Sequence, residues 1–146
     1  MNASWMCEAL IKRVEPYLGT AKKVYGEYQY GYGHVDGVKR GHVISQEDAE
    51  VLLQDDVKRI SAELSELLAP VLGSMKQHEF DALVAFCHQV KVKNFRDSEV
   101  MRAILEGAPK EDIALQMSRY TCDSYGGISY DLVMRREAEM DLFLKE

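Results

Sequence analysis

Glu15 is the residue of this chain best set up for proton chemistry. Met6, Leu10, Ile11 and Val14 recur at helical spacing, and Pro16 with Gly19 stops that helix just past Glu15. A carboxylate at a helix C-terminus meets the negative end of the helix dipole, which disfavours its ionised form and suits an acid that gives up a proton. The plainer alternative is a structural carboxylate tied to Arg13 or to an arginine near the C-terminus. No other cluster competes. His34, His42, His78 and His88 lack metal-ligand spacing, so no metal or cofactor is expected. Cys7, Cys87 and Cys122 are an odd number without CxxC spacing. They read as reduced thiols, two of them in the core.

The elements that must position Glu15 follow from periodicity. From Lys22 to His34 the pattern alternates, with Tyr28, Tyr30 and Tyr32 on one face and Glu27, Gln29, Gly31 and Gly33 on the other. Gly26-Glu27 reads as the centre of a two-residue turn, pairing Lys22 to Tyr25 with Tyr28 to Tyr32. Ser45, with Asp48 three residues later, opens a helix carrying Ala49, Leu53, Val57, Ile60, Leu64 and Leu67, and Pro70 and Gly73 end it. Phe80, Leu83, Val84, Cys87 and Val90 mark a largely buried helix, with Ala82, Ala85 and Phe86 between them. Shorter helices follow around Val100 to Leu105 and Ile113 to Met117. A last helix holds Leu132, Val133 and Leu142, with Arg135, Arg136, Glu137 and Glu139 available for pairs along its surface. The expected class is α+β, predominantly helical, with one small sheet near the N-terminus.

Composition bounds the rest. A chain of 146 residues with 47% hydrophobic content buries one good core, so a single domain over 1–146 is expected. With 18 Lys plus Arg against 24 Asp plus Glu, the formal net charge is -6, which argues against nucleic acid as a partner. No stretch approaches the roughly 20 apolar residues of a membrane span, and the N-terminus lacks a signal-type apolar run. Synthesis in the cytoplasm without a signal peptide is the expectation, as is a monomer.

The order of parts resembles a known family. Leu10 to Glu15, a hairpin, Gly31-Tyr32-Gly33-His34 and Gly37-Val38-Lys39 look like the N-terminal signature of the phage-type lysozymes, glycoside hydrolase family 24. Phe80 to Val84, Asn94-Phe95-Arg96 and Arg135 to Glu139 resemble that family's later blocks, collinear over residues 9 to 144. The resemblance implies two lobes around a glycan cleft, a β lobe over about 16–43 and a helical lobe over about 1–15 and 44–146. The implied reaction is hydrolysis of the β-1,4 bond between N-acetylmuramic acid and N-acetylglucosamine in peptidoglycan. In that chemistry one carboxylic acid protonates the glycosidic oxygen, and a second carboxylate stabilises the oxocarbenium-like state or activates water.

Glu15 matches the family's acid. The family's Asp and Thr fall at Val24 and Gln29, so neither original side chain is present. Gln29 can still hydrogen-bond a water, whereas Val24 can neither stabilise charge nor activate one. Glu27, on the same strand face as Gln29, is the first substitute candidate and Asp36 the next; both could equally be solvated turn residues. His34 looks like the family histidine that buttresses the hairpin base. Tyr30, Tyr32 and His34, with the Arg119-Tyr120 pair, are candidates to line the substrate groove, and the tyrosines could as easily pack the small lobe. Arg135 and Arg136 are expected in interdomain or surface ion pairs. Lys91 replaces a glycine that the family usually shows after its Asn-Val pair, here Gln89-Val90.

Two functions remain open on this reading. One is a working muramidase of phage endolysin type whose second catalytic group has moved, acting at the cell wall after release by a holin or another route. The other is an inactive lysozyme fold that binds glycan strands or a protein partner.

Overall fold

The computed structural model describes residues 1–146. Helix α1, Trp5–Val14, is capped by the Ser4 side chain, and Glu15 closes it by donating its backbone N–H to the Ile11 carbonyl at 2.7 Å. Pro16 cannot extend the helix, which leaves Glu15 at the junction with the hairpin. Strands β1, Leu18–Val24, and β2, Glu27–Gly31, pair antiparallel, with Val24 opposite Glu27 and Lys22 opposite Gln29. The register is irregular between Leu18 and Lys22. Backbone of residues 42–44 returns to the free edge of β1, Ala21 donating to His42 and Ile44 to Gly19.

The turn sits one residue earlier than the alternation predicts. Tyr25 and Gly26 occupy its centre, with φ of 49° and 84°, the double left-handed conformation that matches strand twist in a two-residue hairpin. Glycine takes that conformation freely; Tyr25 adopts it at a cost.

Helix α2, Gln46–Leu67, starts where Ser45 accepts from the Asp48 N–H. It turns Ala49, Leu53, Val57, Ile60 and Leu64 inward. After the short α3, Ala69–Leu72, comes α4, Gln77–Val90, whose residues from Phe80 to His88 are all buried. A helix buried on every side belongs at the centre of its lobe, and α1, α2 and α8 pack around it. Lys91, with φ of 81°, breaks α4 from α5, Val92–Arg96, a division that apolar spacing does not reveal. Helices α6, Glu99–Leu105, and α7, Lys110–Met117, lead to α8, Tyr130–Phe143.

One expectation is corrected in α8. Arg135, Arg136 and Glu139 are not surface pairs: they are 2%, 1% and 0% exposed. Three-residue and four-residue spacing set them on one helix face, and that face packs into α4.

His34 joins the hairpin lobe to the helices. Its Nδ1 lies 2.7 Å from Asp56 Oδ2 on α2, and its Nε2 lies 3.0 Å from the Asp36 carbonyl. The bond to Asp56 raises the His34 pKa above 6.5. Burial pushes Asp56 up, but the bond and charge of His34 outweigh it and the net shift is below 3.8. The His34 share of the stabilisation is complete below pH 6.5 and fades as pH rises through its raised folded value. The Asp56 share is complete above pH 3.8 and fades as pH falls through its lowered value. Asp56→Asn should therefore cost about 1.5–3 kcal/mol at about pH 5.5, with the gap to wild type narrowing toward about pH 9. Urea melts at the two pH values check this, and a gap that ignores pH would remove the ion-pair explanation.

Candidate active site

The Glu15 carboxylate is held from two directions. Arg135 Nη1 on α8 donates to Oε1 at 2.8 Å, and Gln29 Nε2 on β2 donates to Oε2 at 3.3 Å. Each carboxylate oxygen keeps a further lone-pair site, so the group can carry a proton while both neighbours fix its orientation. Arg135 is itself immobilised: Nε donates to Glu139 at 3.0 Å and Nη2 to the Ala85 carbonyl at 2.8 Å. Nη2 also lies 3.4 Å from His88 Nδ1. Burial, followed by the charge of Arg135, pulls the His88 pKa down to about 3, so this imidazole stays neutral and can accept at Nδ1. Burial raises the Glu139 carboxyl, and the two guanidiniums beside it oppose that shift. Arg135 and Arg136 thus stand against two carboxyls, Glu15 and Glu139.

Backbone shape lets this cluster meet the hairpin. Gly33 has φ of 81°, and a Cβ built on it would lie 2.9 Å from His88 Cε1 and 3.2 Å from the carboxyl carbon of Glu15. The Gly-Tyr-Gly-His run thus passes directly over the acid. Only a residue without a side chain fits there.

Two adjoining cavities flank the hairpin tip, sharing Tyr25 and Leu132 as their divide. One, of about 270 Å³, holds Glu15, Gln29, Lys22 and Val24 together with Asp131 and Arg135 from α8. The other, of about 420 Å³, holds Glu27, Lys91, Gln89 and Asn94 with Arg119 and Tyr120. The tip itself crosses to the helical lobe, where Tyr25 Oη and Ser129 Oγ are 3.0 Å apart.

Against this geometry the residues singled out by sequence separate. Glu15 and Gln29 come together. Glu27 does project toward the helical lobe like Gln29, but it enters the second cavity and lies 3.8 Å from Lys91. Asp36 is 3.7 Å from Arg59 in the loop after His34, on a third, smaller cavity. Arg119 and Tyr120 line the second cavity as a pair. Tyr30 lies against the His34 ring, with centroids 6.2 Å apart. Tyr32 is 6% exposed, its hydroxyl bonded to Glu50 and Gln46, which is packing. Asp131 escaped the sequence reading, although its four-residue spacing from Arg135 carried the signal: both lie on one face of α8. Lys91 takes a φ that explains why a glycine suits that position, and its ammonium faces Glu27 across the groove.

Comparison with known proteins places this arrangement. The phage lysozyme family model matches residues 12–139. An endolysin of Bacillus phage B103 is 32% identical over 151 aligned positions, covering 99% of this chain and 54% of the relative. An endolysin of Acyrthosiphon pisum secondary endosymbiont phage 1 is 29% identical, with 92% of each chain covered. The chain spans about half the length of the two Bacillus phage relatives that it matches. Among solved structures, the muramidase domain of SpmX from Asticaccaulis excentricus superposes with a TM-score of 0.83 at 30% identity, covering 100% of this chain and 99% of that one. The endolysin from Escherichia coli O157:H7 phage FAHEc1 follows at 0.82 and 28%, covering 99% and 94%.

The close approach at Gly33 has a measurable consequence. Gly33→Ala should destabilise by roughly 2–4 kcal/mol, adding overpacking to left-handed strain. Gly37→Ala, at φ of 73° with nothing within 4 Å, should cost only the strain, about 1–2 kcal/mol. Urea denaturation of both variants checks the ordering; equal losses would mean that contact with Glu15 and His88 does not matter.

Proposed function

Because this chain belongs to the phage lysozyme family, we propose that it is a peptidoglycan muramidase in which Glu15 is the general acid. The observation that carries the reading is the carboxyl of Glu15 on the floor of a cavity between hairpin and helices, fixed by Arg135 and Gln29. A β-1,4 glycosidic bond breaks readily only when its leaving oxygen receives a proton as the bond lengthens, and positioned proton transfer contributes about 10²–10⁴-fold. Arg135 orients the acid from behind, and Gln29 holds its other oxygen while its own amide oxygen can accept from a water or a sugar hydroxyl. The substrate is the glycan strand of peptidoglycan, alternating N-acetylmuramic acid and N-acetylglucosamine. Arg119 and Tyr120 with Lys91 line the adjoining cavity, where a neighbouring sugar would lie.

The names of the relatives support this reading: those sharing about 30% identity are endolysins and a muramidase domain. Action at the cell wall follows for this chain as part of the same proposal.

The test is release of reducing ends from purified peptidoglycan, read beside clearing of a cell-wall suspension. Glu15→Gln, which keeps an oxygen acceptor for Arg135, should lower the rate by about 10²–10⁴-fold, with a urea melt run beside it to show that the variant is folded. A wild-type rate equal to that of Glu15→Gln would identify a catalytically silent lysozyme fold instead, and retained muropeptide binding would then define it as a glycan-binding module.

A further inference from the structure

Val24, at the hairpin wall of the Glu15 cavity, leaves the second half of a two-carboxyl mechanism without an obvious owner. The residues lining that cavity include two carboxyls, Glu15 and Asp131. We propose that Asp131 is the second catalytic carboxylate of this chain, the base that activates water against the sugar whose leaving oxygen Glu15 protonates. The assignment rests on the muramidase reading above.

Placement carries the proposal. Asp131 precedes Arg135 by four residues on α8, so it stands on the same helix face one turn nearer the N-terminus. Arg135 is the residue that grips Glu15, at 2.8 Å. One helical turn, about 5.4 Å of rise, separates Asp131 from the residue that grips Glu15, and both carboxyls line the same cavity. The cavity that both line, about 270 Å³, has room for a water and the edge of a sugar ring.

Availability separates Asp131 from its rivals. Glu27 faces the Lys91 ammonium at 3.8 Å in the other cavity, and Asp36 faces Arg59 at 3.7 Å. Asp131 makes neither a salt bridge nor a side-chain hydrogen bond and is open to solvent. Its seat in the first turn of α8, two residues after the capping Ser129, sets a negative charge at the positive end of that helix. Val24, opposite, contributes an apolar wall that neither pairs with Asp131 nor competes for the water.

The step balances without a cofactor. Glu15 gives its proton to the glycosidic oxygen as the bond from C1 breaks and its electron pair passes to that oxygen. Water held by Asp131 forms the new C1–O bond from the opposite face, and Asp131 takes the proton that the water loses. The products are a free 4-hydroxyl and a reducing end of inverted, α configuration. Asp131 then loses its proton to solvent and Glu15 regains one.

The experiment uses the full chain on purified glycan strands, with reducing ends counted and the first-formed anomer read by proton NMR. Wild type should release the α anomer, and Asp131→Asn should lose about 10²–10⁴-fold in rate with an unchanged urea melt. In Asp131→Ala, sodium azide should restore turnover and form a glycosyl azide, since azide attacks C1 without needing a base. A role confined to structure would not produce that adduct. Asp131→Asn turning over at the wild-type rate while Glu15→Gln is dead overturns the Asp131 assignment alone. A β product, or a loss in Asp131→Asn without azide rescue in Asp131→Ala, overturns it as well. A wild-type chain that releases no reducing ends overturns both this assignment and the muramidase reading.

Discussion

The buried guanidinium of Arg135 is the interaction on which the rest of this structure depends. It is 2% exposed and spends its donors on Glu15, Glu139 and the Ala85 carbonyl, thereby joining the end of α1, the last helix and the central helix at one point. A charge this deep persists only when compensated, and removing one partner of such a pair typically costs about 3–5 kcal/mol. Here it faces the Glu15 and Glu139 carboxyls, Glu139 being shared with Arg136, while His88 remains neutral. The cluster is a fold constraint and a site constraint together. Whatever chemistry Glu15 performs, its carboxyl cannot wander.

The hairpin answers that fixed point. Gly33 carries the backbone over Glu15 at a distance that no side chain would permit, and His34 anchors the hairpin base to Asp56 on α2. At its tip, Tyr25 and Ser129 join the two lobes again. The small sheet is therefore held at both ends, which a two-stranded hairpin needs because it has little core of its own. Between these attachments lie two cavities, one centred on the acid and one lined by Arg119, Tyr120 and the Lys91–Glu27 pair. Lys91 at a positive φ is costly, and its ammonium faces the Glu27 carboxylate in the second cavity.

Family membership and the altered positions fit together in this picture. Glu15, His34, Gly33 and Arg135, which lie in the blocks that resemble the family's, are residues that hold the lobes together. Val24, Gln29 and Lys91 fall on the cavity walls. Gln29 retains a structural task by bonding Glu15.

Much of this was determined by the sequence alone. Apolar spacing, Pro16 and the Ser45 cap marked the main helices, alternation marked the hairpin, and collinear blocks marked the family, because local periodicity and capping are properties of neighbouring residues. Glu15 at a helix end was legible for the same reason. Only tertiary structure decided that Arg135, Arg136 and Glu139 lie in the core, since a polar helix face looks the same in sequence whether it meets water or matching charges. Only it decided which carboxyl shares a cavity with Glu15. Strand parity sends Glu27 toward the helical lobe, but the lobe's own side chains determine which cavity it enters. Asp131, remote in the chain, lines the Glu15 cavity because α8 packs against α1 and α4, a long-range packing that no local pattern encodes.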